Sequence, residues 1–194
     1  MKIIENTFKN PYEIRKVALS LKYSTSDSLR WPGYRINIPD FINNQYLTSI
    51  KNHLDKNSKL KNAYFQYSDK HWISGSCHFD DTKYTCVTFL NIDSQANSGI
   101  EIYDEKYCSP QTGKLLDTFN PIKTKYYASK KTLPQKILFQ KQLEKLNLNF
   151  KDPCIISNKF NRTVIFDSYK IHRAQNFFGD KISNSRLTLV SFFL

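Results

Sequence analysis

The sequence predicts a mainly β fold with flanking helices, two sheets closed against each other as a jelly roll. Three observations carry this. Two segments with helical spacing fall within the first sixty residues. About eight short runs rich in β-branched and aromatic residues follow, separated by turn chemistry. The last run, RLTLVSFF, has the period-2 alternation of a strand: Leu187, Leu189, Ser191 and Phe193 on one face, Arg186, Thr188, Val190 and Phe192 on the other.

In chain order, residues 2–8 form a candidate first strand. Asn10 before Pro11 reads as a helix start, an N-cap acceptor followed by proline at the first helical position. Ile14, Val17, Ala18 and Leu21 recur at helical spacing up to about Tyr23. Residues 24–38 read as a loop with a Trp-Pro-Gly turn, in which Trp31 either lines a substrate entrance or plugs the helix–sheet junction. Pro39-Asp40 opens a second helix reaching Leu54, with Phe41, Ile42, Tyr46, Leu47, Ile50 and Leu54 on its apolar side. Both helices are expected on the outside of a sheet. AYFQYS, KHWISGSCHF, YTCVTFLNI and GIEIYD read as strands, with DSQANSG a turn between two of them. Residues 105–152 interrupt this pattern with a loop, YCSPQTGKLLD, and a lysine-rich helix, LPQKILFQKQLEKLNLN. CIIS, NRTVIFDS, YKIHRAQNF and RLTLVSFF then restore strand character. The organisation expected is one domain over 1–194: a helical N-terminal support at 1–60 and a β core at 61–194 with the helical insert inside it.

A chain of 194 residues fits one core. With 12 Tyr and 14 Phe against one Met, aromatic rings must fill much of it. No apolar stretch approaches the roughly 18–20 residues that span a bilayer. The apolar run at the N-terminus breaks after two isoleucines, without the core of a signal peptide. The expectation is a soluble cytoplasmic protein. The four cysteines have no C-x-x-C spacing and read as buried free thiols. A net charge of +12 admits attraction to an acidic partner, nucleic acid included, or a solvated lysine-rich surface. The lysines are dispersed rather than clustered with base-stacking aromatics, which favours the surface reading.

The residues that carry chemistry are His78, Asp80 and His172. On an extended strand, residues i and i+2 share a face, so His78 and Asp80 can bite one metal together. The third ligand must come from a strand brought alongside, and His172 lies in a strand-like run. Two imidazoles and one carboxylate, with positions left open, suit non-haem Fe(II) for oxygen chemistry. Arg186 adds a guanidinium fork able to meet the far carboxylate of a dicarboxylate cosubstrate. Thr188 shares its strand face.

H-F-D, a distal H, and R-x-T fourteen residues later resemble the iron(II)- and 2-oxoglutarate-dependent oxygenase superfamily. FKNPYEIRKVALSL, FQYSDKHW, YTCVTFLN, SGIEIYD and NRTVIFDSYKIHRAQNFFGD with RLTLVSFF resemble a branch of it related to prolyl-hydroxylase-like members. The resemblance runs over nearly the whole chain and is weakest around 133–147. It implies a double-stranded β-helix (cupin-like), a triad of His78, Asp80 and His172 that holds the metal and is the catalytic centre, and a 2-oxoglutarate salt bridge to Arg186. It implies Fe(II), 2-oxoglutarate and O2 as the working set, a hydroxylated or demethylated product, and a small-molecule or peptide substrate. Two departures stand out. Tryptophan usually stands two residues before the first histidine in this branch, whereas Trp72 stands six before His78, so ISGSC reads as a local insertion. Prolyl-hydroxylase-like members often carry a tyrosine at the position of Phe89, whose ring has no hydroxyl for the far carboxylate. Gln66 and Tyr67, on the strand before the motif, are candidates for the metal-proximal carboxylate.

Two competing functions follow from the same residues. The charge motivates a nucleic-acid oxidative demethylase, and the barrel by itself a non-catalytic module that binds metal or a small acid. Arg173 and Asn176 flank the distal histidine, one facing solvent and the other the pocket. Asp167 is assigned to a turn. His53 and His71 receive no role.

Overall fold

The structure is a computed structural model, and it describes residues 1–23, 32–72, 75–106, 116–117, 121 and 133–194. In chain order the elements are β1 (Lys2–Ile4), α1 (Pro11–Ser20), β2 (Tyr34–Asn37), α2 (Asp40–Ile50) with a 3-10 turn at Lys51–His53, β3 (Leu60–Ser68), β4 (Tyr84–Phe89), β5 (Ile100–Lys106), α3 (Leu133–Asn147), β6 (Cys154–Ile156), β7 (Thr163–Asp167), β8 (Lys170–Ala174) and β9 (Arg186–Phe193).

Two antiparallel sheets result. The larger has the order β1-β7-β4-β9-β3-β2 and the smaller β6-β5-β8. A short extended segment at 75–78 lies along the far side of β8, joined by the His78–His172 bridge and a Gly75 to Ala174 backbone hydrogen bond of 3.2 Å. From β3 onward the chain therefore alternates between sheets: β3 in the large, 75–78 beside the small, β4 in the large, β5 and β6 in the small, then β7, β8 and β9 in large, small and large. β9 is central, paired with β3 on one side and β4 on the other.

Three apolar layers follow from strand alternation. Between the sheets lie Val87, Phe89, Val164 and Phe166 from the large sheet, against Ile100, Ile102 and Ile156 from the small. The outer face of the large sheet presents Phe65, Cys86, Leu187, Leu189 and Phe193 to Ile14, Ala18, Ile42, Tyr46 and Ile50 of α1 and α2. The two helices thus pack where the sequence puts them. The outer face of the small sheet is covered by Phe139, Leu143 and Leu146 of α3, on Cys77, Tyr103 and Ile171. A fully buried aliphatic side chain such as Leu189 contributes about 1.5–3 kcal/mol. Ser191, on the helical face of β9, is matched by the Tyr46 hydroxyl at 2.8 Å, so no buried donor is stranded there.

In the N-terminal sixty residues the candidate strand at 2–8 forms as β1, and β2 is the departure from the expectation. β1 pairs with β7, and β2, inside the stretch read as a loop, pairs with β3. Each extends one end of the large sheet, which shields an otherwise open strand edge. Asn10 stands at the N-cap of α1, but its side chain makes no capping hydrogen bond, and Pro11 opens the helix without that help. Cys77 and Cys86 are buried free thiols as expected, while Cys154 is exposed. Trp31 and Cys108 lie outside the described residues. Among the described residues, no helix is long and apolar enough to cross a membrane.

Candidate metal centre and its cavity

His78, Asp80 and His172 converge, with one ligand atom from each lying within 4.8 Å of the others. His172 is buried in β8; His78 stands opposite it on the 75–78 segment, with the two rings 4.3 Å apart. The backbones of these residues exchange hydrogen bonds in both directions, at 3.0 and 2.9 Å, so the bridge sets the spacing of the imidazoles. Each ring is also oriented by the chain two residues before it. His78 Nδ1 lies 2.8 Å from the Ser76 carbonyl, and His172 Nδ1 lies 2.9 Å from the Lys170 carbonyl. Those carbonyls accept from Nδ1–H, which turns Nε2 of each ring toward Asp80. The separations to the carboxylate are 3.8 Å from His78 and 3.2 Å from His172. Phe166 packs edge-on against the His172 ring.

Asp80 arrives by a route the strand argument did not anticipate. Extended pairing stops at the single bridge of His78, and Asp80 lies outside any strand. Its backbone N–H donates to the Ser168 carbonyl at 2.9 Å. Its carboxylate accepts from the Thr85 hydroxyl at 2.7 Å. Thr85 in turn contacts the Ser168 hydroxyl at 2.8 Å, which meets Thr82 at 2.9 Å. A turn and a hydroxyl chain, rather than i, i+2 alternation, bring Asp80 beside His78. Burial opposes ionisation of Asp80, but the His172 charge and hydrogen bond, the His78 charge and the Thr85 hydroxyl outweigh it and hold its carboxyl well below the usual range.

The segment carrying His78 is clamped from its other side as well. Asn147, the last residue of α3, accepts from the Cys77 N–H at 2.9 Å and donates to the Gly75 carbonyl at 3.2 Å. One side-chain amide thus satisfies a donor and an acceptor that a neighbouring strand would otherwise satisfy. Gly75 runs so close to Ala174 that a Cβ there would lie 2.4 Å from its carbonyl oxygen, so this part of the ISGSC stretch is confined to glycine.

The triad opens into a cavity of about 570 Å3. Arg186 reaches the same cavity from the start of β9. It is buried, its guanidinium lies 5.6 Å from the Phe89 ring, and it donates to the Ser98 and Gly99 carbonyls at 3.1 and 3.4 Å. Among the described residues no carboxylate pairs with it. Burial pushes its pKa down to about 10, so it remains a cation at neutral pH. A buried guanidinium matched only by carbonyls favours an incoming anion.

The remaining expected residues divide. Thr188 is fully buried beside Arg186, and its hydroxyl bonds the Gln66 carbonyl at 3.4 Å. Gln66 lines the cavity, with its amide committed to Arg35, Pro32 and Ser68. Tyr67 does not come to the cavity. As the strand neighbour of Gln66 it points to the opposite face, stacked on Tyr34 at 4.7 Å and edge-on to Tyr23 at 5.0 Å. Arg173 points away from the cavity side, paired with Glu101, and Asn176 is exposed. Asp167 caps the Tyr169 N–H in a turn. Thr85, Asn147 and Arg35 escaped the sequence reading. Inward alternation on YTCVTF was a usable signal for Thr85; nothing local marks the other two.

No family model matches the chain, and no curated protein sequence matches it. Solved structures do. SnoN, a non-heme alpha-ketoglutarate-dependent epimerase from nogalamycin biosynthesis, aligns with a TM-score of 0.61 over 99% of this chain and 76% of its own, at 8% identity. HygX from Streptomyces hygroscopicus, with nickel, 2-oxoglutarate and hygromycin B bound, aligns at 0.58 over 98% and 80%, at 11% identity. A prolyl hydroxylase from Trichoplax adhaerens, bound to a peptide of a hypoxia inducible factor, aligns at 0.53 over 99% and 82%, at 10% identity. The chain has the fold of the 2OG-Fe(II) oxygenases. At these identities the likeness is one of fold, and the chemistry has to be argued from the residues.

Proposed function

We propose that the chain is an Fe(II)- and 2-oxoglutarate-dependent oxygenase, a hydroxylase built as one domain on a double-stranded β-helix. The strand alternation between two sheets supports the architecture. The observation that carries the function is the pairing, in one cavity, of a His-Asp-His cluster with a buried arginine whose hydrogen-bond partners among the described residues are carbonyls.

The donor set fits Fe(II): two neutral imidazoles and one ionised carboxylate leave coordination positions open. His78, Asp80 and His172 would hold the metal. The Ser76 and Lys170 carbonyls fix the tautomers, and the Thr85 hydroxyl aims the carboxylate. Arg186, with Thr188 beside it, meets the far carboxylate of 2-oxoglutarate. When bound, iron and 2-oxoglutarate supply O2 activation coupled to decarboxylation to succinate and to oxidation of a substrate C–H bond. The protein's part is to bind, orient and shield. Phe79 and Val87 line the cavity near the triad and limit water there, while Ile100 closes it from the small sheet.

Calorimetry on anaerobic Mn(II)-loaded protein should detect 2-oxoglutarate binding, and adding O2 to the Fe(II) form should yield succinate. Metal binding without any 2-oxoglutarate binding would return the molecule to the class of metal-holding modules.

A further inference from the structure

We propose that the cavity selects a substrate carrying a carboxylate, met by Arg35 at the triad end; this rests on the oxygenase reading. Arg35 is a second guanidinium in the same cavity, contributed by β2 at the edge of the large sheet. Its Nε donates to Gln66 Oε1 at 2.7 Å, and Gln66 Nε2 donates to the Pro32 carbonyl at 2.9 Å. The two bonds fix which way the amide faces, and the amide fixes the plane of the guanidinium. The charge lies over the rings of Tyr64 and Phe192, at 5.5 and 5.8 Å. Burial lowers its pKa to about 10, so it is a cation at neutral pH.

Its location separates it from the Arg186 end. The Arg186 guanidinium lies over Phe89, which pairs with Thr188 in the sheet. Phe192, beneath Arg35, pairs with Thr85, the residue that holds Asp80. Thr188 and Phe192 are four positions apart on β9, about 13 Å at the rise of a strand. Arg35 itself springs from the rung of Gln66 and Thr188, so it is the reach of its side chain over Phe192 that carries its guanidinium toward the triad's side and away from the Arg186 end.

The surrounding charges point the same way. Among the described residues, the Asp80 carboxylate acts on Arg35 through space. A divalent cation on the triad offsets that carboxylate and leaves this end of the cavity more positive, which favours an incoming anion. Lys61 adds a positive group to the lining, and Asp81, exposed at the rim, is the remaining acidic one. A guanidinium held in one plane suits a planar carboxylate, which it can grip with two parallel N–H bonds.

The test is titration calorimetry on O2-free, Mn(II)- and 2-oxoglutarate-loaded protein. The probes are N-acetyl-L-alanine, N-acetyl-L-leucine and N-acetyl-L-phenylalanine, each beside its neutral primary amide. At least one acid should bind about ten-fold tighter than its amide, the scale of a charge-assisted pair. Arg35→Gln should erase that preference while keeping 2-oxoglutarate affinity within about two-fold; Arg35→Lys should keep the preference at lower affinity, and it carries the test should Arg35→Gln fail to fold. Equal binding of acid and amide, binding of neither, or a preference that survives Arg35→Gln overturns the proposal. So does a ten-fold loss of 2-oxoglutarate affinity in Arg35→Gln, which would make Arg35 a cosubstrate contact. Wild-type protein that binds no 2-oxoglutarate sinks the oxygenase reading instead, and the acid–amide comparison on metal-free protein still decides whether Arg35 selects carboxylates.

Discussion

The two ends of the cavity are built on different principles. Arg186 starts an eight-residue strand that pairs on both sides within a six-stranded sheet. Its position follows from the main ladder. The triad end is assembled from two stretches of chain: residues 75–80, which hold a single bridge and then leave strand geometry, and β8. Its geometry depends on side chains borrowed from elsewhere, Asn147 from α3, Thr85 from β4 and Ser168 after β7. A site on a ladder inherits the stiffness of the sheet, whereas a site on a segment edge is only as rigid as its outer hydrogen bonds.

That contrast can be broken from either end. Truncating a ligand should have the largest effect: Asp80→Ala or His172→Ala should lower Fe(II) retention and succinate formation by more than about 100-fold, read by metal analysis and product assay. Arg186→Met should leave metal retention intact and weaken 2-oxoglutarate by about 10- to 100-fold, the value of a buried charge-assisted contact. Metal loss in that variant would mean the two ends are coupled. Asn147→Ala should come next, with metal affinity down about ten-fold, stability down about 1–3 kcal/mol and faster hydrogen exchange at the Cys77 amide. Unchanged exchange there would show that β8 alone holds the segment. Phe89→Tyr should be mildest: a hydroxyl beside Arg186 should tighten 2-oxoglutarate by about two- to five-fold, and no change would mean it does not reach the carboxylate.

Legibility in the sequence follows the range of the interactions. The alternation of Arg186 through Phe193 is a local property, and the structure divides that strand between cavity and helices as the pattern does. Helical spacing likewise located α1, α2 and α3 to within a few residues. KHWISGSCHF read as one strand because its residues favour one. Among its described residues, 75–78 run beside β8 and Trp72 sits in a turn, because the pairing partner rather than propensity sets strand length. Tyr67 was misassigned for a related reason. Adjacent strand residues face opposite ways, and without the register Gln66 and Tyr67 could not be separated. β2 was missed because the Trp-Pro-Gly turn signal outweighed the short alternation of Tyr34–Asn37; its partner on β3 makes it a strand.

By itself the sequence singled out His78, Asp80, His172 and Arg186, which the fold brings to one cavity, and the periodicities that sort core from surface. These reside in residue type and in spacings of two to four positions. The tertiary structure decided how those groups meet: that Asp80 turns back through Ser168 and Thr85, that Asn147 completes the edge beside Cys77, and that Arg35 enters the cavity on Gln66. Each depends on hydrogen bonds between residues five to eighty-eight positions apart, whose partners are chosen by sheet register and helix docking, and no local pattern encodes that choice.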